Sequence, residues 1–274
     1  MKTLLVPFDF SPYAVAAFRS ALKISHKSGA QILCVTVIPT ELDWDFISDD
    51  VKAKNPQIQE EFDEAEEVLP SYLKTLAPAK APITPIIKIG VPHSLILQVA
   101  KEYSADLIVL GAYGKGKGAQ EFIGSNLQKV LRSAECPVLA VKDLLDGNGF
   151  RKLAFASNFE DSAKKAFESI KPLVKLFRAS VHLIFVNTPK NFTNSTDIEN
   201  RMNDFMKGHE EITFHKHTFN YDEVEIGLAK FGEMSKIHLV AVVSGHHEKN
   251  PSYQIGTTET LIFQSDLAVL SIKT

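Results

Sequence analysis

Short unbroken apolar runs alternate along this chain with segments whose apolar residues recur every three or four positions. Thr3 to Phe8, Gln31 to Ile38, Ile83 to Ile89, Leu107 to Leu110 and Pro137 to Val141 have strand length and little polar alternation, the mark of strands covered on both faces. Between the first two, Ala14, Ala17, Phe18, Ala21, Leu22 and Ile24 lie at helical spacing, with Ser11 as cap, Pro12 in the first turn and Gly29 as the stop. Phe62, Leu69, Tyr72, Leu73 and Leu76 mark a helix over Glu60–Leu76. Leu95, Ile96, Val99 and Ala100 mark another, and a further helix is expected over Ser125–Ser133. Pro39 to Pro56 is aperiodic and acidic and holds Trp44; it reads as a surface loop, with a lid or an interface segment as the other reading. Strands alternating with helices predict a parallel sheet with right-handed crossovers.

The pattern then repeats. TLLVPFDFSPYAVAAF, from Thr3 to Phe18, aligns without gaps to KLAFASNFEDSAKKAF, from Lys152 to Phe167, so that Ala14 falls on Ala163 and Phe18 on Phe167. SVHLIFV matches QILCVTV, HLVAVVSG matches DLIVLGAYG, and LAVLSIK matches PVLAVKD. Asp143 to Gly149 reads as the linker, giving domains at 1–143 and 151–274.

Composition narrows the class. A chain of 274 residues with 45% hydrophobic and 23% charged residues can build two ordinary cores. A formal net charge of -3 gives no electrostatic reason to expect nucleic acid as a partner. Cys34 and Cys136 lie in apolar surroundings and read as reduced, buried thiols. No run approaches the ~20 apolar residues of a membrane span, and Asp9 interrupts any leader-like stretch, so a cytoplasmic protein without a membrane partner is expected.

The candidate chemistry lies in LIVLGAYGKGKGAQEFIGSNLQKV. Gly111 is followed after two residues by Gly114, and after nine more by Gly124 and Ser125. Glycines allow positive φ and close approach of a ligand to main chain. Successive N–H groups can form an anion nest, and the helix start adds donors and the positive end of its dipole. Ser125 can donate to a phosphate or cap its helix, while Lys115 and Lys117 add positive charge. GAYGKGKG would be a Walker A loop only with Ser or Thr at Gly118, and GxGxxG is absent. A surface loop that merely closes a strand–helix turn remains the bland alternative. Asp9, at the C-terminal end of the first strand, lies where open parallel sheets place their crevices, although Asp there can also be only a helix cap.

At these residues the chain resembles the universal stress protein family, whose nucleotide-binding members carry G-x2-G-x9-G-(S/T). LLVPFDFSPYA resembles the family's first strand and turn, and CPVLAVKD its final strand. The resemblance implies an α/β fold of two tandem open five-stranded domains, adenine nucleotide alpha hydrolase-like, with strand order 3-2-1-4-5 and pseudo-twofold packing through the last strands. That arrangement is an intramolecular pseudo-dimer, with a further homodimer left open.

The same resemblance implies an adenine nucleotide, ATP first and ADP or AMP as alternatives, with Mg²⁺ as an optional companion. Asp9 would then serve ribose or adenine, Val37 the adenine edge through its backbone, and Leu110 and Gly111 the ribose and first phosphate. Gly114, Gly124, Ser125 and Asn126 would hold the phosphate tail. Family members often carry arginine before the second glycine and valine after the serine; Tyr113 and Asn126 stand there instead, which shifts charge compensation to Lys115 or Lys117.

The expected role is a stress-response sensor or regulator, in which occupancy orders the loop 112–123 and a protein partner reads the result. A slow ATPase or autophosphorylating enzyme, and a ligand-free interaction module, are the alternatives. No catalytic residue is assigned.

In the second repeat Asn158 replaces Asp9, and Glu248 stands where the second glycine belongs, with only seven residues between it and Gly256-Thr257. Pro251 and Tyr253 stiffen that loop, so a degenerate site is expected. His215 and His217 would share one strand face, as a metal site could use, and His246 and His247 are adjacent. No third ligand follows from spacing, and surface histidines without a metal are the simpler reading.

Overall fold

The computed structural model describes residues 1–78, 80–115, 123–244 and 256–273. Its chain forms two compact α/β units, Met1–Ala134 and Glu135–Thr274.

The first unit runs β1 (Thr3–Pro7), α1 (Pro12–Ser28), β2 (Gln31–Pro39), α2 (Asp49–Ala53), α3 (Pro56–Leu76), β3 (Ile83–Gly90), α4 (Pro92–Glu102), β4 (Leu107–Gly111) and α5 (Ser125–Ser133). Its strands lie in the order β3-β2-β1-β4, with each pair parallel. Leu4, Leu5, Val6, Ile32, Leu33, Ile108 and Val109 are fully buried, as expected for strands with helices on both faces. Pro85 is tolerated because β3 is an edge strand of this unit.

The start of α1 follows from its sequence. Ser11 Oγ accepts the Ala14 N–H at 3.1 Å, and Pro12 follows in the first turn. At the other end Gly29 takes φ 73° and returns its N–H to the Ser25 carbonyl.

One expectation needs correction. Pro39 to Pro56 is not a plain surface loop. Trp44 is only 6% exposed and packs with Ile38, Ile58 and Ala65, while Leu42, Ile47 and Phe62 close around them. Lys52 lies over the indole, 5.8 Å from its centroid. The connection also contributes α2, and α3 begins at Pro56, ahead of the expected Glu60. The segment lacks periodicity because most of it is irregular chain, yet its large apolar side chains still had to be covered.

The second unit runs β5 (Val138–Val141), β6 (Lys152–Ala156), α6 (Asp161–Phe177), β7 (Ser180–Asn187), α7 (Ser195–Met206), β8 (Phe214–Asn220), α8 (Val224–Ser235), β9 (Leu239–Ser244), α9 (Thr257–Gln264) and β10 (Ala268–Lys273). Its strand order is β5-β10-β9-β6-β7-β8. All its pairings are parallel except β5 with β10, which is antiparallel with Leu139 opposite Leu270. That antiparallel ladder buries both strands and leaves β10 no open edge. The remaining strands and helices reproduce the first unit's alternation, as the sequence repeat implies. No described helix is long and apolar enough to cross a membrane.

Candidate functional site

The C-terminal ends of β1, β2 and β4 open onto a cleft of about 870 Å³ in the first unit. Such a crevice forms where neighbouring strands of an open parallel sheet part company. Here β1 stops pairing at Pro7, opposite Val35, and the Phe8 N–H makes a last bond to the Val35 carbonyl. Phe10 then turns away with φ 62°, a left-handed conformation uncommon outside glycine. Thr36 Oγ1 donates to the Phe8 carbonyl at 2.8 Å and fixes the bend.

Val37 gains its position from that departure. Val35 directs its backbone groups to β1, so Val37, two residues on, directs its own to the same side, where β1 is no longer present. Its N–H and C=O therefore face the cleft.

Asp9 is the link between the first strand and the glycine loop. Its Oδ1 accepts the Ser11 N–H at 3.0 Å, and its Oδ2 accepts the Lys115 N–H at 3.1 Å. It does not cap α1, because Ser11 does. Lys115 Nζ lies 4.9 Å from the centroid of the Phe10 ring, a cation–π contact that draws this side chain toward the same bend.

The glycines act through their missing Cβ rather than through positive φ. None of Gly111, Gly114 and Gly124 has φ above zero, which corrects one of the two reasons expected for them, the other being close approach to bare main chain. A Cβ on Gly111 would come within 2.8 Å of the Tyr13 backbone, so this glycine is what lets β4 lie against α1. On Gly114 it would meet Asp9 Oδ2 at 3.1 Å. On Gly124 it would meet, among the described residues, nothing closer than the Ala112 carbonyl at 3.8 Å. The three share a motif for different reasons.

At the far end, α5 begins without a side-chain cap. Its first intrahelical bond runs from Gln128 N–H to the Gly124 carbonyl. The N–H groups of Ser125, Asn126 and Leu127 stand ahead of that bond, and all three residues line the cleft.

Of the residues singled out in sequence, Asp9, Val37, Leu110, Gly111, Gly114, Lys115, Gly124, Ser125 and Asn126 all line this one cleft. Lys117 lies outside the described residues, as does most of the loop 112–123. Sequence reasoning missed the wall that α3 supplies. Glu61, Glu64, Ala65 and Val68 lie on one helical face and line the cleft, with the two glutamates and Val68 exposed. Their i, i+3, i+4, i+7 spacing was the available signal, obscured by the glutamates around it.

In the second unit, Asn158 contributes its carbonyl to Arg201 Nη1 at 3.4 Å. Ser157 Oγ accepts the Phe159 N–H there. Thr257 Oγ1, at the start of α9, donates to Glu225 Oε1 at 2.8 Å, so an internal carboxylate meets this helix start. Glu248, Pro251, Tyr253, His246 and His247 fall outside the described residues.

His215 and His217 share a face of β8 as expected, and the structure adds His182 from β7. His182 pairs in register with His215, stacks on both rings, and its Nδ1 lies 3.0 Å from His217 Nε2. Burial, then the neighbouring His215, His217 and Lys152, holds His182 down to about 4; burial also lowers His217. Among the described residues no group of three or more His, Cys, Asp or Glu is arranged to hold a metal.

A parallel α/β sheet whose carboxyl edge joins an acidic strand end to a glycine loop and a helix start belongs to the class of open α/β sheets with a crevice at their strand ends. The Universal stress protein family model matches residues 1–142, and the chain belongs to that family. A universal stress protein of Methanocaldococcus jannaschii is 29% identical over 149 residues, covering 52% of this chain and 82% of the relative. One from Thermus aquaticus is 32% identical over 145 residues, covering 52% and 98%. The crystal structure of a universal stress protein from Archaeoglobus fulgidus matches 99% of this chain and 96% of its own, with a TM-score of 0.76 at 23% identity, a likeness of fold.

Proposed function

We propose that this chain binds one adenine nucleotide in the cleft of its first unit, domain 1–143, and acts as a nucleotide-dependent regulator in the cytoplasm. The observation that carries the reading is the convergence of Asp9, the open backbone of Val37 and the α5 start around a single cleft. The apolar stretch of Val37, Ile38, Ala65 and Val68 suits a flat base, and the N–H groups of Ser125, Asn126 and Leu127 suit a phosphate. Asp9 and the Leu110–Gly111 strand end then bracket the sugar. A protein partner that reads the occupied state completes the role.

An ATPase or autokinase is less well supported. Both oxygens of Asp9 already accept backbone N–H groups, so this carboxylate is engaged in holding the bend and the Lys115 backbone rather than aimed at a water as a general base.

Thermal unfolding of the whole chain with ATP, ADP and AMP, each with and without Mg²⁺, tests the reading. Stabilisation is expected, and it should disappear in Gly114→Glu, which crowds Asp9 Oδ2 and adds a like charge at the loop. Unchanged stabilisation in that variant would place the ligand elsewhere.

A further inference from the structure

On the face of β7 and β8 turned toward α8, His182, Ile184 and Val186 alternate along one strand and His215, His217 and Phe219 along the other. Phe231 of α8 packs on His217 and Phe219, with ring centres 4.9 and 5.9 Å away. The first unit shows that the fold itself asks for no histidine here. In the alignment of SVHLIFV with QILCVTV, His182 falls on Leu33. The register of β2 with β3 then sets Thr84 and Ile86 where β8 has His215 and His217. Where one unit has two aliphatic side chains and a threonine, the other has three imidazoles.

We infer that His182 and His217 form a two-imidazole site for a late divalent transition-metal ion, Cu²⁺ or Zn²⁺. His182 Nδ1 and His217 Nε2 lie 3.0 Å apart. Two nitrogens each about 2.0–2.1 Å from one ion are separated by roughly 2.9 Å at a right angle and roughly 3.3 Å at the tetrahedral angle, so this pair already has the spacing of chelating ligands. His215 stacks on the His182 ring, with centres 4.7 Å apart, and steadies its plane. Burial, then His215, His217 and Lys152, holds His182 down to about 4, and burial lowers His217. Both rings are therefore neutral at pH 7, and each has a lone pair to give. One ring donates its N–H to the other in this arrangement; the ion takes the place of that proton, which moves to the far nitrogen of its own ring, so no net proton is released. Imidazole suits copper and zinc, and Cu²⁺ stands highest in affinity among the first-row divalent ions. With two protein donors and no third among the described residues, the ion keeps positions open to solvent or to a ligand from outside.

Calorimetric titration of the full chain with Cu²⁺ and with Zn²⁺ at pH 7, with electron paramagnetic resonance of the Cu²⁺ complex, tests the site. One tightest equivalent is expected, with hyperfine coupling to two imidazole nitrogens. His182→Gln and His217→Gln should each weaken it by at least about tenfold, the lower bound for disturbing even an outer partner of a metal ligand. Circular dichroism reports whether each variant is folded, and the spectrum of the parent chain decides the donor set without them. No uptake of either ion by the parent chain, a spectrum without two nitrogen donors, or an equivalent that keeps its affinity in both folded variants overturns the inference.

Discussion

At the end of the first strand of each repeat, a phenylalanine takes a left-handed backbone: Phe10 at φ 62° and Phe159 at φ 55°. The same bend serves different ends. In the first unit it leaves Phe10 half-buried beside a cleft and presents Asp9 to the Lys115 N–H. In the second, Phe159 is buried against Phe155 and Phe205, and Asn158 offers only a carbonyl to Arg201. Backbone strain of this kind costs on the order of 1–3 kcal/mol and persists where surrounding structure enforces it. Its survival in a repeat without the acidic residue shows that the bend belongs to the fold and does not depend on the carboxylate.

Helix ends draw a similar contrast. α1 stops at Gly29 in the left-handed region, and α6 stops at the aligned Arg178 with φ 49°. The second repeat keeps the geometry while losing the residue best suited to it.

The comparison can be broken most severely at Gly111. Gly111→Val forces a side chain into the Tyr13 backbone and should destabilise the first unit by about 3 kcal/mol, read as a lower urea midpoint. At Gly256, the start of α9, an added Cβ meets no described atom within 4 Å, and Gly256→Val should change the midpoint little.

Asp9→Asn copies the second repeat's residue into the first. It removes the charge that accepts the Ser11 and Lys115 N–H groups, and should weaken nucleotide affinity about tenfold by calorimetry. Unaltered affinity would deny Asp9 any role in the site.

The second unit carries a pH dependence of its own. His182 is held neutral down to about 4 while an unfolded histidine titrates near 6.5. Between these values the unfolded chain binds more protons, so stability is complete above about pH 6.5 and falls as pH drops toward about 4. Discounted for partial exposure, the loss should be about 1–2 kcal/mol. Denaturation at a series of pH values should show a shallower slope in His182→Gln than in the parent chain.

The smallest effect is expected at Arg178. Arg178→Gly relieves the left-handed strain and should stabilise by up to about 1 kcal/mol, whereas Gly29→Ala should destabilise by a similar amount. Thermal midpoints of both variants check the sign.

Much of this was legible in sequence. The buried strands announced themselves as apolar runs, Ser11 and Pro12 gave the helix start, and the glycine spacing marked one side of the cleft. The gapless alignment of Thr3–Phe18 with Lys152–Phe167 revealed the repeat. What stayed hidden depended on distant packing. Trp44 is buried from an irregular segment, where no period reports which side chains turn inward. His182 meets His215 and His217 only through the register of β7 and β8. Glu61 and Glu64 belong to a helix that its apolar positions alone predicted, and only the end of β2 beside them makes their face a wall of the cleft. The reason for Gly111 is a contact with Tyr13, which spacing cannot distinguish from a contact with a ligand.

The central claim is that the first repeat holds a working site and the second does not. Equilibrium dialysis of the nucleotide-stripped chain against labelled AMP counts occupied sites directly. One equivalent per chain, lost in Gly114→Glu, is the predicted result; two equivalents, or one that survives the substitution, would contradict it.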